Sequence, residues 1–212
     1  MSVILLDRSV PFFSEVVSGV ISLSVVAVLI AIFVDFVRYD SKSEIKKSKR
    51  SVVATGSMFA FYVVYYLVIR LWWGSLYVKD IPVILLGTVM IVAGAVINIV
   101  GRVQLKANWA NHIKIYDDHT LVQQGVYRVV RHPLYASLML MFLGGSLAYR
   151  NWLSAVLTIG IFIPFMYYRA QQEETLLREE FPEYADYQQQ VGMFFPRFWR
   201  SKKRTEAADG SI

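Results

Sequence analysis

IPVILLGTVMIVAGAVINIVG, residues 81–101, carries no charged side chain from end to end. A helix rises about 1.5 Å per residue, so crossing a hydrocarbon core of ~30 Å takes roughly 20 largely apolar residues. This stretch is long enough, and four others come near it: 16–37, 51–69, 134–149 and 151–168. The whole chain agrees with them. It is 56% hydrophobic and 15% aromatic over 212 residues, with a mean hydropathy of +0.43, far more apolar than a soluble domain. The fold expected is an all-α integral membrane protein of about five transmembrane helices. Only Arg150 and Asn151 part the last two spans, which predicts a tight helical hairpin, with the small pair Gly144 and Gly145 letting its backbones approach. Pro164 predicts a kink in the fifth span.

The 22 basic residues are unevenly placed. Eighteen fall in segments 38–50, 102–131 and 169–204, whereas the alternate segments hold only Arg8, Arg70, Lys79 and Arg150. Positive loops are retained in the cytoplasm, so the split predicts an N-terminus outside, a C-terminus inside and an odd number of spans. The first span reads as a retained anchor: Asp7, Arg8 and Glu15 stand where a cleaved leader has a basic cluster. Segment 40–50 reads as a solvated loop touching anionic headgroups, and 201–212 as a disordered tail. The net charge of +6 then belongs to loops at a lipid surface, and nucleic acid is not an expected partner. With no cysteine, disulfides, thiolate metal sites and a cysteine nucleophile are excluded together.

Between the third and fourth spans lies GRVQLKANWANHIKIYDDHTLVQQGVYRVVRHPLYAS, residues 101–137, too long and too patterned for a plain connector. It holds all three histidines, His112, His119 and His132. Their spacing fits no standard zinc pattern, so no metal is expected. Pro133 suits the first position of a helix, where a missing N–H costs nothing. That leaves Arg131 and His132 two readings: a snorkelling anchor and an interfacial cap, or members of a site. After the fifth span stand Arg169, Glu173, Glu174, Arg178, Glu179 and Glu180. Arg169 and Glu173, four apart, share a helix face and can pair, although the run also fits a solvated amphipathic helix. Phe181, Tyr184 and Tyr187, then Phe194, Phe195, Pro196 and Phe198, suit an interfacial lid. Asp35 and Asn98 are the polar residues that point toward a transporter, but the strongest polar features lie at the basic edge and not at the midplane.

Taken in order, five groups of residues resemble the C-terminal half of the isoprenylcysteine carboxyl methyltransferases. They are His119-Thr120-Leu121-Val122, Gly125-Val126-Tyr127, Arg131-His132-Pro133-Leu134-Tyr135, Arg169 with Glu173 and Glu174, and Phe181 with Tyr184 and Tyr187. Asn108-Trp109 is similar to short prokaryotic members. The likeness covers about residues 98–198 and is shared with phospholipid N-methyltransferases, so it speaks more strongly for the cofactor than for the acceptor. It implies S-adenosyl-L-methionine bound on the cytoplasmic side by His112, His119, Thr120, Leu121, Val122, Tyr127, His132, Pro133, Leu134, Tyr135 and Glu173. It also implies Arg169 facing the acceptor as the catalytic and substrate-binding residue. His112 stands where members often carry another polar residue, and the turn Phe181-Pro182-Glu183-Tyr184 is one residue shorter than usual.

A sulfonium methyl group is already activated, so such an enzyme chiefly aligns it with a nucleophile, which can contribute about 7–11 kcal/mol. Glu173 suits the ribose hydroxyls or the ammonium of the cofactor, since an ionised carboxylate accepts several bonds. A guanidinium holds a carboxylate bidentately, so Arg169 favours an anionic acceptor over an amine. The expectation is carboxyl O-methylation of an isoprenylcysteine-like substrate drawn from the bilayer. A phospholipid or another lipophilic amine or thiol is the alternative acceptor, and a non-catalytic membrane protein or transporter is the rival class. The domain plan expected is three spans in 1–101, a catalytic region in 102–200 and the tail.

Overall fold

In a computed structural model, residues 11–39, 45–49, 55–76, 80–105, 113–116 and 120–197 are described. In lipid every backbone polar group must bond within its own segment, so the long apolar runs become helices. These are α1 (Pro11–Tyr39), α2 (Thr55–Arg70), α3 (Ile81–Leu105) and α4 (Pro133–Ala148). A continuous rod follows, made of α5 (Trp152–Leu157), a π-helical turn (Thr158–Phe162) and α6 (Ile163–Glu180), and then the short α7 (Tyr184–Gln190). Each expected span thus coincides with a helix. Phe13–Asp35, Ile81–Leu105 and Trp152–Glu180 are long and apolar enough to cross a membrane alone. The 16 residues of α2 and of α4 reach only about 24 Å. Trp72 and Trp73 follow Arg70 at the end of α2, the kind of interfacial anchors that seat a short helix in a locally thinned bilayer. Beyond Tyr168 the rod turns polar, and its charged last turns stand outside the hydrocarbon.

The disturbance expected at Pro164 is a widened turn. Pro164 has no N–H to offer the carbonyl four residues back, and the N–H of Ile163 reaches Thr158, five residues back.

The centre of the molecule is the close approach of α3 and α4. Gly87, Gly94 and Gly101 recur every seven residues and so lie along one face of α3. A Cβ on Gly87 would sit 2.4 Å from the Ala148 nitrogen and the Gly144 oxygen; one on Gly94 would sit 2.5 Å from Met141 Cγ. Only glycine permits backbones this near. A Cβ on Gly144 would sit 2.7 Å from the Gly87 oxygen, and one on Gly145 would strike the Tyr65 hydroxyl of α2 at 2.5 Å. The glycine pair therefore serves α3 and α2 and not the helical hairpin, as its spacing alone suggested. The hairpin is held instead by polar groups: the Asn151 side chain caps α5 by accepting from Ser154 N–H at 2.8 Å, and Ser154 Oγ donates to Ser146 Oγ at 2.9 Å. A T-shaped and tilted aromatic cluster of Phe61, Tyr65, Phe142 and Phe162 fills the space between α2 and the hairpin.

The loops sort to two ends, as the alternation of charge predicts. At one end Asn151 Nδ2 donates to Trp73 O at 2.8 Å and Trp152 N–H to Gly74 O at 3.0 Å, which joins segments 71–76 and 149–152. At the other, strands β1 (Ile45–Lys49) and β2 (Ile113–Tyr116) pair antiparallel, with Lys49 opposite Ile113 and Ile45 opposite Tyr116. This ribbon is an addition to the all-helical expectation and falls where a solvated loop was expected. Two five-residue strands or shorter carry too little pattern to be seen before their distant partner is known. The expected tail, 201–212, lies outside the described residues.

The glycine seam gives a direct test. Gly87→Ala should lower stability by about 1–3 kcal/mol through overpacking, read as a fall in melting temperature in detergent. Gly19→Ala in α1, whose Cβ would meet nothing within 4 Å, should leave the melting temperature unchanged or raise it.

Candidate active site

The site grows from residues 127–135, α6 and α7. Pro133 opens α4 as expected. His132 precedes it, but its ring makes no capping bond to α4 and turns toward α6, where Nε2 lies 3.1 Å from Glu174 Oε1. Arg131 is likewise no free anchor: its Nε donates to Glu174 Oε1 at 2.8 Å, and its Nη1 donates to the carbonyls of Gln188 and Val191. The backbone follows the side chains. Arg131 N–H donates to Gly192 O at 2.8 Å and His132 N–H to Met193 O at 3.0 Å, forming a parallel bridge between Val130 and Gly192. Tyr187 Oη adds a bond to Tyr127 O at 2.5 Å.

Glu174 gathers these elements. It is 4% exposed, and Gln188 Nε2 from α7 donates to its second oxygen at 2.5 Å. Burial alone would push its carboxyl upward, but the hydrogen bonds and charges of His132 and Arg131 win, holding it down at about 2. Burial raises the neighbouring phenols of Tyr184 and Tyr187, so both stay neutral.

A second, parallel chain of bonds faces the cavity. Tyr135 stacks on His132 with ring centroids 5.5 Å apart and an interplanar angle of 6°. Its hydroxyl donates to Glu173 Oε2 at 2.9 Å and accepts from Arg169 Nε at 3.0 Å. Arg169 and Glu173, expected to share a face, are thus connected through the hydroxyl of Tyr135. Arg169 is 5% exposed, whereas the Glu173 side chain is 37% exposed and has acceptor capacity to spare.

These groups line one cavity of about 390 Å³. Its lining includes Arg169, Glu173, Tyr184 and residues 120–122, together with Val25, Leu29 and Tyr62 from α1 and α2. Of the expected site residues, Thr120, Leu121, Val122, Tyr127, His132, Pro133, Leu134, Tyr135, Arg169 and Glu173 all line it. His112 and His119 lie outside the described residues. No group of three or more potential metal ligands occurs among the described residues. Two features escaped the sequence. Glu174 stood in the motifs and in a run that also fits a solvated helix, and nothing short of the contact itself marks it as the partner of Arg131, or Gln188 as a partner of Glu174. Asp35 of α1 reaches Arg102 of α3, which also lines the cavity, at 2.7 Å.

Comparison with known proteins finds relatives over part of the chain. Residues 85–179 match the model of the isoprenylcysteine carboxyl methyltransferase (ICMT) family. The chain is 34% identical over 113 residues to a probable protein-S-isoprenylcysteine O-methyltransferase of Oryza sativa subsp. indica, covering 52% of this chain and 59% of that protein. It is 37% identical over 82 residues to the cobalt-zinc-cadmium resistance protein CzcN of Cupriavidus metallidurans, covering 38% of this chain and 37% of that one. The chain therefore spans well under two thirds of the length of these relatives. The solved structure of the eukaryotic intramembrane Ras methyltransferase ICMT superposes with a TM-score of 0.51 at 22% identity, over 68% of this chain and 54% of that one, which is a likeness of fold. The likeness read from the motifs recurs in these comparisons over part of the chain, and the fold is that of a multi-pass membrane protein.

Removing one partner of a buried ion pair typically costs about 3–5 kcal/mol, so Glu174→Gln should destabilise strongly and free α7 and residues 191–193 to exchange their amide hydrogens. The carboxyl is depressed from an ordinary 4.5, so its contribution is complete above that pH and is lost as pH falls toward about 2. Melting curves of the wild type across this window should therefore fall more steeply than those of Glu174→Gln.

Proposed function

We propose that this protein transfers a methyl group from S-adenosyl-L-methionine to the carboxylate of an isoprenylcysteine-like amphiphile, at the basic and hence cytoplasmic face of the membrane. The observation that carries the reading is the Arg169–Tyr135–Glu173 chain on a cavity that the membrane helices α1 and α2 also line. One cavity meets the needs of a soluble cofactor and a lipid-like acceptor together.

The residues present fit the cofactor. A volume of about 390 Å³ falls within the ~300–1,000 Å³ of small-molecule sites, and the lining offers a half-exposed carboxylate and aromatic faces. Glu173 would hold the ammonium or the ribose hydroxyls; His132, Tyr135 and the 120–122 segment would bound the rest. The cofactor supplies an electrophilic methyl whose bond to sulfur breaks as the bond to the acceptor oxygen forms, leaving a neutral thioether. Arg169 orients the acceptor carboxylate. The Tyr135 hydroxyl bonds both Arg169 and Glu173 and so fixes the two side chains relative to each other. No protein nucleophile is required. The N-terminal spans 1–101 then build the apolar wall and 102–200 the catalytic region, with the N-terminus outside.

A second reading keeps the cofactor and changes the acceptor. The motif pattern is shared with phospholipid N-methyltransferases, which keeps lipophilic amines and thiols in the assay.

The first experiment is binding of S-adenosylhomocysteine to the purified protein, with methyl transfer assayed on a farnesylcysteine analogue, a lipophilic amine and a lipophilic thiol. Glu173→Gln should weaken binding about tenfold, the loss of one charge-assisted contact. Arg169→Ala should bind as wild type and transfer at least a hundredfold more slowly to the carboxylate, the scale of a lost positioning group. No saturable binding in a folded sample overturns the proposal; transfer to the amine or thiol alone selects the second reading.

A further inference from the structure

A second hollow, of about 590 Å³, takes no part in the chemistry above. It lies at the far end of the seam between α3 and α4. These helices run antiparallel, since Gly87 faces Ala148 while Gly101 faces Pro133 and Leu134. The start of α4 belongs to the candidate active site, so the end of α4 and the head of α3 stand at the opposite face of the membrane. The lining of the hollow sorts by depth. Asp80 stands immediately before α3 and Arg150 between α4 and α5, so both mark its mouth. Deeper in, Val83 and Met90 of α3, Leu143 and Leu147 of α4, and Ala155 and Ile159 of the rod supply apolar walls. Met90 is ten residues along from Asp80, which is about 15 Å of helix. Trp152, also at the mouth, is 54% exposed, as suits an aromatic side chain at the level of lipid head groups.

Ile159 on the wall is 59% exposed, so the hollow opens onto the bilayer, and acyl chains are what the bilayer offers it. Its mouth adds one charge of each sign. Asp80 Oδ1 accepts from Val83 N–H at 3.3 Å, and a carboxylate has acceptor positions beyond that one. Arg150 keeps protein contacts of its own, and a guanidinium with five donors can take a phosphate oxygen beside them. Arg150 also sits at φ 51°, in the left-handed region, where glycine or asparagine would turn the hairpin at less cost. The turn by itself therefore does not call for arginine. We propose that this hollow binds one phospholipid with a primary-amine head group, from the leaflet opposite the candidate active site. The tail lies along α3, α4 and the rod, the phosphate on Arg150 and the ammonium on Asp80. Asp80 repels an anionic head, and a quaternary ammonium has no N–H to give it, so the mouth selects the amine lipid over both. The site does not depend on the function proposed above.

The test is lipid retention by the full-length protein in detergent, followed by native mass spectrometry. Dioleoyl phosphatidylethanolamine, phosphatidylglycerol and phosphatidylcholine are titrated in turn. The wild type should retain one phosphatidylethanolamine about tenfold more tightly than either of the others. Arg150→Gly removes the cation and relieves the turn, and Asp80→Asn removes the anion while its amide oxygen can still cap α3. Each should weaken phosphatidylethanolamine about tenfold, the scale of one charge-assisted contact. The two should part on the anionic lipid: Asp80→Asn gains affinity for phosphatidylglycerol, and Arg150→Gly gains none. Ala155→Phe, which sets a ring into the apolar part, should weaken retention of all three. Melting curves identify the folded variants, and if one charge variant fails to fold the other decides with Ala155→Phe. No lipid retained by the wild type, equal retention of the three head groups, or an affinity that the folded charge variants leave unmoved overturns the proposal.

Discussion

The carboxylate of Glu174 is the interaction on which the site depends. It sits on α6, yet its partners come from residues 131–132 and from α7, so one side chain bonds three segments. An ionised group out of water is costly unless its acceptor positions are filled, and here both oxygens are engaged by donors, one of them a fixed cation. Satisfying that one charge draws α7 against the foot of α4. The bridge between Val130 and Gly192 then has the short separation it needs. Glu173 and Tyr135, one position along on α6 and at the start of α4, are aimed into the cavity as a consequence of how their neighbours are locked.

The seam between α3 and α4 sets the other boundary. Apolar side chains gain little by leaving lipid for another helix, so association rests on close van der Waals contact and a few polar bonds. Glycines on one face of α3 allow it, and the polar bond from Asn98 to Ser137 sits on the same interface. The tightness of that pair has a counterpart beside it. Beside it a cavity opens among α1, α2 and α4, lined by residues such as Val28, Met58 and Leu138. Packing that is dense at the centre leaves room at one side for a ligand.

The helices were legible because length and hydropathy in a bilayer have few solutions, and the sorting of loops because charge alternates with each crossing. The cavity-facing residues were legible only through ordered motifs: nothing in the periodicity of the chain distinguishes Tyr135 from any aromatic near an interface. What stayed hidden were pairings between distant residues. Gly144 and Gly145 read as hairpin residues because Asn151 lies near them in sequence, whereas their true contacts, Gly87 and Tyr65, lie more than fifty residues away. Glu174 stood in a run that also fits a solvated helix, and its cations lie some forty residues upstream. Asp35 stood as an unassigned polar residue of the first span because its partner stands on another span.

Charges around the cavity are arranged in pairs, and the pairs differ in kind. Arg131 with Glu174, and Arg102 with Asp35, are in direct contact at 2.7–2.8 Å and nearly excluded from solvent. Such pairs contribute little field to a ligand, because each charge is cancelled within a few ångströms. Arg169 and Glu173 are separated by a neutral hydroxyl, and Glu173 is partly open. Under the proposed function, the cation of the two would meet an anionic head and the carboxylate a cationic cofactor. In a medium of low polarity such charges act strongly on a ligand, so they help to set its orientation within the cavity. This is the physical role of placing tyrosine at position 135: its ring fills space against His132 while its hydroxyl holds the two charged side chains in register.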